Sequence, residues 1–357
     1  MLRLVTGNIF DANAEALVNT VNTVGAMGRG LALQFKKAFP ANNKAYEAAC
    51  KRGEVQIGKM LVFEAGGIVL PRYIINFPTK RHWRGASKLE YIELGLVDLV
   101  RVVRDYSIRS IAIPPLGAGL GRLEWADVEL RISAAMRDVP DVEVLVYQPA
   151  SAPPPEHMKN RTERPSMTAG RAAVLTLMHR YLVPGYDYPI TLLEVQKLAY
   201  FLQAAGVPLR LHYRAHHYGP YADNLRHVLN RIEGHFIEGF GDGENKPTTP
   251  LRLRPGAAAE AEAFLAATNN TAEPLARVSR LIEGYETPFG MELLATVHWV
   301  AERDQNACES PEKAVHAVHA WNTRKAISMK STQIHAAWDT LKTQDWLGRA
   351  RTPSPAG

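Results

Sequence analysis

Residues 16–35, ALVNTVNTVGAMGRGLALQF, place a strand-like run, a glycine-rich loop and a helical pattern in direct succession. The strand-like run begins with apolar residues and ends in Asn19, Thr20 and Asn22. A glycine-rich turn that leads into a helix offers backbone N–H groups and the positive end of the helix dipole to an anion. The spacing GAMGRG matches neither the GxGxxG dinucleotide motif nor a phosphate loop ending in GK[ST]. The stretch therefore predicts an α/β unit with a loop suited to an anion, and an ordinary glycine turn is the alternative interpretation.

The rest of the first half continues this alternation. Strand-like runs occupy residues 2–7, 16–22, 60–65, 72–77, 110–115 and 142–148. Helical patterns lie between them, at residues 30–39, 89–104 and 125–137. Strands that alternate with helices predict a layered α/β fold. Ligands of such sheets usually bind outside the carboxyl ends of the strands.

The second half of the chain is dominated by helical patterns. They occupy residues 171–182, 192–206, 222–233, 259–268, 275–285, 291–302 and 334–342. Residues 207–221 suggest a short hairpin, and the Pro- and Gly-rich residues 241–256 suggest a long surface loop. We predict a first domain over residues 1–150, a Pro-rich linker over 151–166, a mostly α domain over 167–348 and a flexible tail over 349–357.

Composition limits the class of protein. The 357 residues carry a net charge of +6, which permits an anionic partner without requiring one. Cys50 and Cys308 are far apart in the chain, so neither a disulfide framework nor a zinc site is expected. We expect no metal and no cofactor. No run approaches the roughly 18 to 20 apolar residues that span a bilayer, and the N-terminus lacks a signal-peptide pattern. A cytoplasmic protein without a membrane segment is the expectation.

Two further strand ends carry residues suited to a ligand. In TGNIF, Gly7 gives the backbone freedom and Asn8 offers both a donor and an acceptor, although a plain turn uses the same residues. In IPPLGAGLGRLEW, three glycines fall within five residues, at Gly117, Gly119 and Gly121. Such a segment can approach a ligand closely with its backbone N–H groups. We expect it to bind phosphate or pyrophosphate.

The stretch NFPTKRHWRG, residues 76–85, ends a buried strand in Lys80 and then groups cations around Trp83. A solvated loop is the ordinary interpretation, because Lys and Arg are mostly exposed. The alternative is a reactive amine beside a surface for nucleic acid. Single-stranded DNA is held by cations on its phosphates and by aromatic faces under its bases. In that second interpretation, Arg81, Trp83 and Arg84 would contact the nucleic acid.

Taken in order, TGNI, ALVNTVN with GAMGRGLALQF, INFPTK and PLGAGLGRLEW resemble the macrodomain family over residues 1–150. The resemblance implies a three-layer α/β/α fold with a mixed sheet that binds ADP-ribose. The lysine of INFPTK is typical of the glycohydrolase branch. Together with LLEVQKLAYFLQAAG and HYGPYADNLRHVLNRIEGHF in the second half, the motifs are most similar to the DarG-type antitoxins. These remove ADP-ribose from thymidine in single-stranded DNA, and their C-terminal region binds a DarT-type toxin.

The resemblance implies roles for individual residues. Lys80 would be catalytic, because a neutral amine can attack the anomeric carbon or capture the opened ribose as a Schiff base. Its pKa would have to fall, through burial or through neighbouring cations. ADP-ribose contacts are implied for Asn8, Ile9, Thr20, Val21, Asn22, Leu31, Thr79, Gly117, Ala118, Gly119, Leu120 and Gly121.

Two positions depart from the family pattern. Many macrodomains carry Asp where this chain has Asn8, so the adenine end would lack a charge. Some lysine-dependent relatives carry Asp at the position of Gly121, where the acid assists the second step, and that assistance is missing here. Two other functions stay open: a non-catalytic ADP-ribose-binding module with an interaction domain, and a hydrolase of ADP-ribosylated protein carboxylates.

Overall fold

The computed structural model describes residues 1–66, 69–150, 153–182, 189–243, 246–268 and 271–348. By its internal contacts the chain divides into two compact units. The first comprises Met1–Glu163 with Gly241–Glu244, and the second comprises Arg164–Phe240 with Asn245–Gly357. The tail predicted over 349–357 lies outside the described residues.

A six-stranded sheet forms the centre of the first unit. Its strands are β1 (Leu2–Val5), β2 (Ala16–Asn22), β3 (Leu61–Glu64), β4 (Tyr73–Lys80), β5 (Ser110–Ile113) and β6 (Glu143–Tyr147). Their order across the sheet is β1-β6-β5-β2-β4-β3. β3 runs antiparallel to β4, and every other neighbouring pair is parallel. The sheet is mixed, as predicted.

Helices cover both faces of this sheet. They are α1 (Gly30–Ala38), α2 (Pro40–Lys51), α3 (Leu89–Asp105) and α4 (Trp125–Met136). Successive residues of a strand point to opposite faces, and the buried residues follow this rule. Val18 and Ile75 belong to the cluster formed with α3 and α4, whereas Leu17 and Ile74 pack in the cluster that includes Phe35 of α1. The predicted three-layer α/β/α fold is confirmed.

Strand β4 is longer than its sequence suggests. The apolar run ends at Phe77, and Pro78 lacks the N–H that a strand normally donates. The strand nevertheless continues through Pro78 to Lys80. Gly95 of α3 lets the Phe77 ring of β4 pack against this helix, because a Cβ at that position would overlap the ring. The strand-like run predicted over 72–77 is therefore too short, whereas the prediction that the strand ends in Lys80 is confirmed. Helix α2 was not predicted.

Residues of the predicted linker contact the first unit. Lys159 Nζ donates a hydrogen bond to the Phe10 carbonyl at 2.6 Å and lies 3.0 Å from Asp11 Oδ1. The Arg161 N–H donates to the Lys37 carbonyl at 2.8 Å. The linker limits of 151–166 stay a prediction.

The second unit is mostly helical, as predicted. Its helices are α5 (Ala169–Tyr181), α6 (Leu192–Ala204), α7 (Leu225–Ile232), α8 (Ala257–Thr268), α9 (Ala272–Ile282), α10 (Pro288–Ala301), α11 (Gln305–Glu309), α12 (Pro311–Trp321), α13 (Thr323–Ser328) and α14 (Ser331–Thr343). Its short strands are β7 (Ile190–Thr191), β8 (Tyr213–His216), β9 (Gly219–Ala222), β10 (Ile237–Glu238) and β11 (Pro250–Leu253). The predicted hairpin corresponds to β8 and β9. The prediction of a loop throughout 241–256 was wrong at β11, which pairs with β7 and β10.

Within the described ranges, no helix is long and apolar enough to cross a membrane. Cys50 and Cys308 are both free thiols. The same ranges contain no group of three or more His, Cys, Asp or Glu side chains placed to hold a metal ion.

Candidate active site

A β-bulge places Lys80 at the carboxyl edge of the sheet. In the pairing of β2 with β4, Val21 lies opposite Pro78 and Asn22 lies opposite Lys80, so Thr79 is an extra residue. A bulge of this kind re-aims the side chain that follows it. The Thr79 hydroxyl is buried and donates to the Val21 carbonyl at 3.4 Å. Lys80 therefore stands level with the beginning of the loop that follows β2.

The Lys80 amine reaches the glycine loop that follows β5. Its Nζ donates to the Leu120 carbonyl at 2.6 Å. The side chain is half-buried, and its pKa is lowered, first by this burial and then by the positive charge of Arg122. More of the amine is neutral at a given pH than in a solvated lysine. The sequence had left open which cation would act on Lys80, and the charge that lowers its pKa is that of Arg122, directly after the glycine loop.

The side chain of Asn22 organises the loop after β2. Its Nδ2 donates to the Ala26 carbonyl at 2.7 Å, and its Oδ1 accepts from the N–H groups of Val24 and Ala26. The Tyr46 hydroxyl of α2 donates to the Asn22 carbonyl at 2.6 Å. The side-chain amide is thus used within the loop.

The glycine loop after β5 requires two of its three glycines, Gly117 and Gly121, for steric reasons. Gly117 has a φ of +69°, and a Cβ there would lie 2.9 Å from Leu123 Cδ1 and 3.0 Å from Ser87 Cβ. A Cβ at Gly121 would overlap the Gly117 carbonyl oxygen and the Ser87 hydroxyl. Gly119, in contrast, has no heavy atom within 4 Å of such a Cβ. The loop is closed at its two ends and open at its middle, where a ligand could approach its backbone.

The two glycine loops meet at Gly30 and Leu120. A Cβ on Gly30 would lie 3.3 Å from Leu120 Cδ1, and Leu120 is 63% exposed. Leu31, next in α1, is half-buried beside the core. The Gly30 N–H, the first of the helix, donates to the Asp242 carbonyl at 3.0 Å. One of the N–H groups expected to face an anion is therefore already occupied.

The remaining residues for which an ADP-ribose contact is expected lie after β1, at the end of β2 and in the glycine loop after β5. Asn8 caps a short 3₁₀ turn, with its Oδ1 accepting from the Phe10 N–H at 3.2 Å, and Ile9 is buried. The turn interpretation of Asn8 is therefore correct, whatever the side chain also binds. Thr20 and Ala118 are half-buried.

Comparison with known proteins shows the family to which the chain belongs. The Macro domain family matches residues 18–132. A protein of Thermus aquaticus named DNA ADP-ribosyl glycohydrolase is 48% identical over 357 residues, which covers 98% of this chain and 97% of that protein. The chain belongs to the DNA ADP-ribosyl glycohydrolase family. The resemblance seen in the motifs is confirmed.

Two further similar proteins each match one part of the chain. The structure titled macrodomain of Mycobacterium tuberculosis DarG is 55% identical, covers 42% of this chain and 99% of its own, and has a TM-score of 0.42. A Thermosipho africanus protein is named a DNA ADP-ribosyl transferase-DNA ADP-ribosyl glycohydrolase fusion protein. It is 36% identical over 142 residues, which covers 36% of this chain and 37% of that protein.

In this chain, the basic loop after Lys80 is exposed and carries an aromatic ring. Trp83 is 46% exposed, the Arg84 guanidinium lies 4.5 Å from its ring centre, and the His82 ring lies 5.2 Å away. Arg81 lies 5.9 Å from the Tyr91 ring, and its carbonyl accepts from the Thr23 hydroxyl at 2.7 Å. These contacts hold the rings and cations of the loop together, and the Trp83 side chain stays partly exposed to solvent.

Sequence reasoning missed three features of the site. Asn19 of β2 and Asn76 of β4 are register partners, and Asn19 Nδ2 donates to Asn76 Oδ1 at 3.0 Å beneath the loop. The Ser87 hydroxyl is buried under the glycine loop without a hydrogen-bond partner in the described part of the chain. Arg122 supplies the charge beside Lys80. Only Arg122 had a signal in the sequence, as a cation directly after the three glycines.

Proposed function

We propose that this protein hydrolyses the N-glycosidic bond between ADP-ribose and thymidine in single-stranded DNA. The observation that carries the proposal is the Lys80 amine, which is half-buried, has a lowered pKa and is held at 2.6 Å by the Leu120 carbonyl where the strand ends converge. Full-length similarity to a protein named DNA ADP-ribosyl glycohydrolase supports the reaction class.

The reaction would begin with Lys80 as a neutral amine. Its lone pair attacks the anomeric carbon, or captures that carbon as an imine once the ribose ring has opened, while the bond to the thymine nitrogen breaks. The departing thymine nitrogen takes up the proton that the attacking amine loses. Water then adds to the same carbon, which regenerates Lys80 and releases ADP-ribose. Gly121 leaves no room for the acid that assists some relatives, so this second step would use a water or a substrate phosphate.

The strand ends would form the ADP-ribose cradle. We assign Asn8 and Ile9 to the adenine end, Thr20, Val21 and Asn22 to the distal ribose, and Leu31 to packing beside it. Because the Asn22 amide is occupied within its loop, its ligand contact would come from the backbone. Thr79 would contact the reacting ribose, and residues 117–121 would wrap the pyrophosphate with backbone N–H groups.

The basic loop would hold the DNA strand. Trp83 is exposed enough to stack under a base, which is worth about 1 to 3 kcal/mol per base in single-strand binding. Arg81 and Arg84 would pair with backbone phosphates. This loop favours a DNA substrate over a modified protein carboxylate, because stacking and repeated phosphate contacts have no counterpart on a protein side chain.

We assign toxin binding to the second unit. A relative that joins transferase and glycohydrolase in one chain supports a functional link between the two activities. Lys80→Ala should abolish hydrolysis and leave inhibition of the toxin's transferase activity intact, because the substitution lies in the first unit. Loss of both activities in this variant would contradict a separate inhibitory domain.

The deciding experiment measures release of free ADP-ribose from a thymidine-modified single-stranded oligonucleotide. Wild type is compared with Lys80→Ala, and with Lys59→Ala as an exposed-lysine control. Release by wild type and by the control alone would support the proposal. Release by all three would remove Lys80 from the mechanism. Release by none, with ADP-ribose still bound, would favour a binding module or a protein substrate.

A further inference from the structure

Arg122 occupies an unusual backbone conformation directly after the glycine loop. Its φ is +65°, a left-handed value that L-residues other than Asn and Asp rarely adopt. The conformation is fixed by a tight turn, in which the Arg122 N–H donates to the Gly119 carbonyl at 3.0 Å. Strained conformations of this kind concentrate at functional sites. Asn or Gly would fit this turn at lower cost, so the turn itself gives no reason for an arginine.

The guanidinium of Arg122 is available to a ligand. The residue is exposed, and its side chain has no hydrogen bond and no ion pair with any residue that the structure describes. Glu124 and Asp127 are the nearest acids further along the chain. They belong to the N-cap and the first turn of α4, and neither forms an ion pair with Arg122. An unpaired guanidinium presents a planar fork of donors that suits a phosphate.

The cations of the basic loop are engaged differently. Arg81 and Lys88 lie 5.9 and 5.6 Å from the centre of the Tyr91 ring, and Arg84 lies over Trp83. β2 presents the uncharged Asn22 at the level of Lys80. Arg122 is therefore the cation whose charge acts on the Lys80 amine, in agreement with the lowered pKa.

Arg122 is also tied to the reactive centre through the backbone. The Leu120 carbonyl, two residues earlier, accepts the hydrogen bond from Lys80 Nζ at 2.6 Å. The middle of the loop, at Gly119, is open. An anion that entered beside the loop would meet Arg122 on the side of the reactive amine.

We propose that Arg122 binds a phosphate of the modified DNA substrate and thereby positions the ADP-ribosylated nucleotide against Lys80. The inference rests on the proposed function. The phosphate has two possible sources, the pyrophosphate of ADP-ribose and the backbone phosphate next to the modified thymidine. The shared chemistry is a guanidinium that binds an anionic phosphate oxygen.

The test removes the charge without straining the turn. Arg122→Asn keeps a residue that tolerates a positive φ, and Arg122→Lys keeps the charge. Arg137→Asn is the matched control, because this exposed arginine follows the opposite end of α4. Binding of the thymidine-modified oligonucleotide is measured in the Lys80→Ala background, where substrate does not turn over, and free ADP-ribose binding is measured in parallel.

We expect Arg122→Asn to weaken oligonucleotide binding about tenfold, as for loss of one charge-assisted contact, with Arg122→Lys intermediate and Arg137→Asn unchanged. If free ADP-ribose binding weakens equally, the phosphate is the pyrophosphate. If ADP-ribose binding is unchanged and the slope of log K against log salt becomes shallower by about 0.7, the phosphate belongs to the strand. Unchanged binding of both ligands would overturn the inference.

A second readout separates Arg122 from a merely structural residue. With Lys80 present, the pH dependence of kcat/KM reports groups of the free enzyme. Arg122→Asn, which removes the positive charge that lowers the Lys80 pKa, should raise that pKa. The rising limb of the kcat/KM profile should then move to higher pH. A profile identical to that of wild type would contradict the placement of Arg122 beside Lys80. Inactivity of the wild type would count against the proposed function, while the binding measurements would still decide on Arg122.

Discussion

At the scale of single residues, the site depends on the protonation state of one amine. The Lys80 pKa is lowered from its ordinary 10.5 by burial and by Arg122. Below the pKa the neutral fraction of an amine grows tenfold with each pH unit. The rate should therefore rise with pH and level off at a pH below that expected for a solvated lysine.

Lys80→Arg, which keeps the charge and cannot lose it, should lower the rate by about 10²-fold or more and retain ADP-ribose binding. Trapping with borohydride should label wild type and not this variant, and a labelled Lys80→Arg would contradict an imine at Lys80.

Gly121 gives a second prediction at this scale. A Cβ there would overlap the Gly117 carbonyl and the Ser87 hydroxyl, so the loop must shift to admit any side chain. Gly121→Ala should destabilise the first unit by about 1 to 3 kcal/mol, as overpacked sites do. Gly119→Ala, which meets no atom within 4 Å, is the control and should stay within about 0.5 kcal/mol of wild type. Denaturant unfolding measures both variants, and equal stabilities would contradict the packing described here.

At the scale of strands and helices, local patterns were predicted and pairings between distant segments were not. Strand β2 matches its predicted bounds, because the apolar run at its start and the glycines after it are local signals. The bulge at Thr79 depends on the register between β2 and β4, which no single segment encodes. The same holds for the contact between Lys80 and Leu120. Prediction therefore identified the candidate residues and failed to supply the geometry that connects them.

Helix α2, which sequence reasoning missed, supports the loop after β2. Its Tyr46 is fully buried, and the Tyr46 hydroxyl donates to the Asn22 carbonyl at 2.6 Å. Tyr46→Phe removes this bond and leaves the carbonyl without that donor, at a cost of about 1 kcal/mol. We expect a higher KM and a smaller effect on kcat, since the loop would contribute mainly to binding ADP-ribose. Steady-state kinetics on the modified oligonucleotide would check this, and an unchanged KM would contradict a role for α2 in the site.

At the scale of the whole molecule, each of the two units has its own hydrophobic core. The second unit contains an ionic cluster that the proposed hydrolysis does not use. Glu292 is 2% exposed, accepts two hydrogen bonds from Arg324 at 2.6 and 2.8 Å, and accepts one from Lys325 Nζ at 2.5 Å. Burial alone would raise the pKa of Glu292, but the hydrogen bonds from Arg324 and Lys325 hold it below its usual value. The carboxylate is therefore ionised at neutral pH and compensates two cations.

Loss of that single negative charge should separate the two proposed activities. Glu292→Gln leaves Lys325, which is fully buried, without its counter-ion, and breaking a buried pair in this way costs about 3 to 5 kcal/mol. We expect a lower unfolding midpoint for the second unit and loss of toxin inhibition, while ADP-ribose release by the first unit persists. Glu262→Gln, on an exposed face of α8, is the control and should behave as wild type. Thermal unfolding, ADP-ribose release and inhibition of the toxin's transferase activity are measured on the same full-length preparations. Because the substitution removes no residue of the proposed catalytic centre, loss of hydrolysis together with inhibition would mean that the first unit depends on the second for its activity.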